Sequence, residues 1–133
     1  MSIKIYKAIP MYEDYFNLFY TRFSWLKRAS FSEQLSALRS DFFSSTDYNW
    51  ATFNTDPTIE IHETVSNNYY LQQAYCNHQF VNDSDWVKKI ILLQIHDIQP
   101  DICIIYPPEE FGPDFVQKIR EQSDKKMLIG GII

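Results

Sequence analysis

The chain has 133 residues, 45% of them hydrophobic and 22% charged, a balance that suits one ordinary globular domain over residues 1–133. Its net charge is −5 and its basic residues are dispersed, which excludes the electrostatic footprint of a nucleic-acid-binding protein. No apolar run approaches the ~18 residues of a membrane span, and two cysteines without metal-ligand spacing, Cys76 and Cys103, point to a reducing, cytoplasmic setting.

Met1 to Ile5 opens directly as a strand, so no signal peptide is expected. Strand one alternates from Ile3 to Ala8 and stops at Pro10. A helical stretch follows, with Tyr12, Tyr15, Phe16, Phe19, Tyr20 and Phe23 spaced by three and four along one face. Such a stripe packs a core; it can also line a pocket that stacks a flat or sugar-like ligand. Ser30-Phe31-Ser32-Glu33 is a capping-box pattern and starts a helix carrying Leu35, Leu38, Phe42 and Phe43. Asp47 is placed to cap a short helix from Tyr48 to Phe53. After the Asp56-Pro57 turn, Thr58 to Val65 alternates cleanly and reads as strand two, nearer a sheet edge than strand three. Asn67 and Asn68 precede a helix from Tyr69 to about Gln79. Trp86 to Ile98 is amphipathic, with Val87, Ile90, Ile91, Ile95 and Ile98 on one face.

The last third supplies the fold class. Ile102 to Tyr106 and Met127 to Ile133 are continuous apolar runs, separated by a helix that Gly112-Pro113 opens and that runs through Ser123. Runs of this kind are buried on both faces of a parallel sheet. The expectation is an α/β, Rossmann-like domain with a parallel sheet of about four strands. Right-handed crossovers favour the order 2-1-3-4, with helices on both faces. The late core is expected to hold Ile90, Ile91, Ile104, Ile105 and Phe115.

Only Gly112, Gly130 and Gly131 are present, so a dinucleotide fingerprint and a P-loop are both excluded. His62, His78 and His96 are not spaced as metal ligands, and no metal is expected. In a parallel sheet the site lies outside the carboxyl ends of the strands. Three segments share that rim: Pro10 to Tyr12, His62 to Asn68, and Tyr106 to Glu110. Glu109 and Glu110 are the general-base candidates there, or two solvated acids on a Pro-stiffened loop. Tyr12, His62, Asn67 and Tyr106 are the candidate ligand contacts. Asn67, like Asn68, is more often a helix cap than a ligand contact.

In order along the chain, several segments resemble the amino-terminal lobe of bacterial two-lobed (GT-B) glycosyltransferases, in the CgeB-like, spore-maturation branch. Ile3-Lys4-Ile5-Tyr6-Lys7-Ala8 looks like its first strand, and Tyr12-Glu13-Asp14-Tyr15 is similar to the helix after it. Ser32 to Leu38 with Asp41-Phe42-Phe43, and Leu71-Gln72-Gln73-Ala74-Tyr75, resemble two later segments. Pro100-Asp101-Ile102, Phe111 to Phe115 and Met127 to Ile133 complete the series. Pro107 stands where that branch usually has an aspartate, Ser44-Ser45 where it has Gly-Trp, and Gly131 where it has a tryptophan. The resemblance implies a truncated half of a GT-B fold, the acceptor-side lobe of a nucleotide-sugar-dependent glycosyltransferase transferring a hexosyl group to a hydroxyl acceptor. Such a lobe carries no cofactor of its own. The nucleotide sugar donor belongs to the complete enzyme, on a donor-binding lobe or second chain, and without it no turnover is expected. The partners it implies are a carbohydrate or other hydroxyl acceptor and that donor lobe. The residues themselves leave two other readings open. One is a stand-alone interaction or small-ligand module that docks another protein through the exposed end of its sheet, with a homodimer through the last strand as one form of this; the other is an unrelated small α/β enzyme using Glu109 or Glu110.

Overall fold

The computed structural model describes residues 2–41, 49–107 and 111–131. Its elements run β1 (Ile3–Ile9), α1 (Glu13–Arg22), a 3-10 turn (Ser24–Arg28), α2 (Phe31–Asp41), α3 (Trp50–Phe53), β2 (Ile59–Val65), α4 (Tyr69–Tyr75), α5 (Trp86–Ile98), β3 (Ile102–Ile105), α6 (Pro113–Glu121) and β4 (Leu128–Gly131). All strand pairs are parallel, in the order β2-β1-β3-β4. This is the Rossmann-like α/β sheet that the alternation of apolar runs and amphipathic helices dictates. Among the described residues no helix is long and apolar enough to cross a membrane.

The register sorts side chains onto two faces. Tyr6 lies beside His62 and Cys103, and Lys7 beside Glu63 and Ile104. Tyr6, Ala8, Cys103 and Ile105 are buried under α5 and α6 through Ile91, Ile95, Phe115 and Ile119, which together form the main core. Each Ile or Phe side chain among them contributes about 1.5–3 kcal/mol by its removal from water. Ile104 points to the other face and is only half-buried, so it does not belong to the core where the sequence placed it. Along a strand, neighbours face opposite ways, and the helices that bury Cys103 and Ile105 cannot also bury Ile104. On Ile104's side of the sheet, the Trp50 ring at the start of α3 lies 3.8 Å from the Lys7 ammonium.

A second core gathers Phe19, Tyr20, Leu26, Leu35, Leu38, Val65 and Leu71, joining α1, the 3-10 turn, α2 and α4 to the end of β2. The Tyr15–Phe23 stripe is part of this packing. Ser30 starts α2 as its pattern predicts: the Glu33 N–H donates to Ser30 Oγ at 3.2 Å. Asn68 caps α4 by accepting from the Leu71 N–H at 3.2 Å. That helix stops at Tyr75 rather than Gln79, because Asn77 and His78 take left-handed φ values of 52° and 62°. Phe42, Phe43 and Asp47 lie outside the described residues.

Candidate functional site

Connections leave β1 toward β2 on one side and proceed through β3 to β4 on the other. The crevice rule for open parallel sheets therefore points to the carboxyl ends of β1 and β3. Tyr12 stands just past β1, 83% exposed, with its ring free in solvent. Tyr106 follows β3, half-buried, and its N–H donates to Ala8 O at 3.2 Å, which holds the two loops side by side. Asn67 is on the same rim, but its amide is committed to the backbone. Its Oδ1 accepts from the Met11 N–H at 2.9 Å and its Nδ2 donates to Met11 O at 2.7 Å. Glu109 and Glu110 lie outside the described residues.

His62 does not join this rim. The sequence placed it near the carboxyl end of its strand, whereas it is the fourth of the seven residues of β2, level with Tyr6. Its Nε2 lies 2.8 Å from Glu60 Oε1, at the mouth of a separate cleft of about 570 Å³ along β2. Glu60 to Thr64 form one wall. Phe31, Leu35 and Arg39 of α2 stand opposite, with Tyr75, Asp97 and Ile98 nearby. The Phe31 and Tyr75 rings meet edge-on with centroids 5.2 Å apart. The Tyr75 hydroxyl donates to Asp97 Oδ2 at 2.8 Å, and burial followed by that carboxylate pushes its pKa up.

Glu63 closes one end of the cleft. Its Oε2 accepts from Lys7 Nζ at 3.2 Å and the Trp50 N–H at 3.1 Å, and its Oε1 from Arg39 at 3.3 Å and the Ala51 N–H at 2.8 Å. A buried carboxylate thus fastens α2 and α3 to two strands. Deeper in, Tyr6 donates to Gln94, Gln94 to Gln72, and Thr64 to Gln72, at 2.7, 2.9 and 2.6 Å. Burial, with Cys103 nearby, holds the Tyr6 hydroxyl well above its ordinary pKa, so it serves the network as a donor. The Cys103 thiol is pushed up to about 12 by burial, the wrong direction for a nucleophile. Among the described residues no group of three His, Cys, Asp or Glu side chains is placed to hold a metal.

The sequence reading missed Lys7, Arg39 and Glu63. The available signal was the charge inside strand one: the order 2-1-3-4 makes that strand internal, and Lys7 there requires a buried partner. Comparison with protein-family models, with curated proteins and with solved structures finds no match for this chain.

Proposed function

We propose that this chain is the acceptor-side lobe of a nucleotide-sugar-dependent glycosyltransferase and works with a donor-binding lobe or second chain. The observation that carries the reading is the position of Tyr12 and Tyr106 beside the β1/β3 crevice of a parallel 2-1-3-4 sheet. Their rings offer flat apolar faces of the kind that stack on sugars. Glu109 and Glu110, three and four positions after Tyr106 in the sequence, are the carboxylates proposed to take the proton of an acceptor hydroxyl. The nucleotide sugar is held by the other lobe.

Calorimetric titration tests this. UDP- and GDP-sugars give no saturable binding, while free oligosaccharides bind weakly and lose that binding in Tyr12→Ala and Tyr106→Ala. Tight binding of a nucleotide sugar overturns the acceptor-side assignment. In an enzyme with both lobes, Glu109→Gln or Glu110→Gln lowers transfer at least tenfold, about 1.4 kcal/mol in barrier. A smaller loss in both removes the proposed base.

A second reading, an interaction module that pairs through β4, is favoured by one observation: Leu128 is 68% exposed on that edge strand.

A further inference from the structure

In a parallel ladder the backbone groups of an edge strand alternate, one residue bonding inward and the next outward. Two flanking bonds fix the phase on β2. The Ile3 N–H donates to Thr58 O at 2.7 Å, and the Ser66 N–H donates to Ile9 O at 3.1 Å. With Ile3 level with Ile59, the even-numbered residues of β2 bond to β1, and Ile59, Ile61, Glu63 and Val65 direct theirs outward. The ends of this outward row are taken. The Ile59 N–H donates to Asp56 O, Ile59 O accepts from Asn54 Nδ2, and Val65 O accepts from the Asn68 N–H. Between them, the N–H and C=O of Ile61 and Glu63 have no partner among the described residues.

Both residues line the 570 Å³ cleft. Glu63 is only 7% exposed and Ile61 is half-buried, so this stretch of the edge is set into the cleft and not on open surface. An edge strand with an unpaired row of backbone N–H and C=O groups is a template for another chain. An added strand lies about 4.8 Å away and rises about 3.3 Å per residue, so three extended residues bond to both Ile61 and Glu63. Across the gap, Phe31, Leu35 and Tyr75 offer apolar contact to an alternate side chain.

We propose that the cleft along β2 takes an extended segment of a partner protein, which adds to the sheet as a fifth strand through the backbone of Ile61 and Glu63 and seats a large apolar side chain against Phe31 and Leu35. This is independent of the glycosyltransferase reading and uses the opposite side of β1 from the β3 crevice.

Amide hydrogen exchange followed by NMR tests it, with acetylated, amidated pentapeptides Thr-Xaa-Thr-Xaa-Thr in which Xaa is Val, Leu or Phe. At saturating peptide the Ile61 and Glu63 amides exchange at least tenfold more slowly. N-methylation of the peptide at either its Xaa or its Thr amides abolishes this in one of the two patterns. Ile61→Pro removes an outward N–H and spares the β1 ladder, as proline on an edge strand does, and raises the peptide Kd at least tenfold. If that variant fails to fold, the N-methylated pair decides. Three results overturn the proposal: no protection with any of the three peptides, equal protection by both methylated forms, or protection that rises with protein concentration alone and so marks a second copy as the occupant.

Discussion

Glu63 accepts four hydrogen bonds from Lys7, Arg39, Trp50 and Ala51, drawn from β1, α2 and α3. Removing one member of a buried charge cluster is expensive because the remaining charges lose their compensation. Glu63→Ala therefore lowers stability by about 3–5 kcal/mol, read from denaturant midpoints at unchanged m; a loss under about 1 kcal/mol would contradict the role assigned to it. Asp101 works at the surface. Its Oδ2 accepts from the Lys4 N–H at 2.8 Å and its Oδ1 lies 2.9 Å from Lys125 Nζ, and these two partners hold its pKa below the usual carboxylate value. A folded pKa below the unfolded one means the unfolded state binds more protons. The stabilisation is therefore present above about pH 4 and lost as pH falls through the folded value. Asp101→Asn makes the acid limb of the stability curve shallower below about pH 4, and an unchanged limb would show the carboxylate to be irrelevant. The role of Glu63 was not legible from the sequence. Lys7 and Glu63 are 56 positions apart, and only the register puts them together.

Secondary elements were far easier to read. The apolar alternation of Thr58 to Val65 marked an edge strand, and β2 is one; the stripe on Trp86 to Ile98 buries Ile90, Ile91 and Ile95 completely. Periodicity carries such information because burial of one face selects it. It fails where a single residue's backbone decides. The end of α4 depends on left-handed Asn77 and His78, which are ordinary residues in sequence. The core assignment of Ile104 failed for a related reason, since a continuous apolar run does not say which of its faces the helices take. The same alternation makes a prediction: Ile105→Ala, which empties a site 3% exposed between β3 and the late helices, costs about 2–5 kcal/mol, and Ile104→Ala costs clearly less. Equal losses in urea titrations would contradict the face assignment.

At the scale of the molecule the sheet has two unlike edges. The β2 edge is walled by α2 and the cleft. The β4 edge shows Leu128 at 68% exposure and Gly130 and Gly131 exposed, with no charge to discourage pairing. Copies of the chain are therefore expected to associate through β4. Light scattering at high micromolar concentration reports dimers, and Leu128→Lys, which puts a charge on the edge, returns monomers. A clean monomer in the parent protein would rule this out. The position of the rim at the carboxyl ends of β1 and β3 could be read from sequence because strand order implies it. The β2 cleft could not be, because β1, β2, α2, α3, α4 and α5 each contribute one or a few side chains from distant positions.

The pair of hydrogen bonds between the Asn67 side chain and the Met11 backbone has a dynamic consequence. It ties the loop after β1 to the loop after β2 with a donor and an acceptor at once, so the two segments move as one body. Any breathing of the crevice between β1 and β3 has to be a displacement of that joined pair against Tyr106. In relaxation-dispersion measurements the amides of Met11, Tyr12 and Asn67 would then share one exchange rate, and Asn67→Ala would split it.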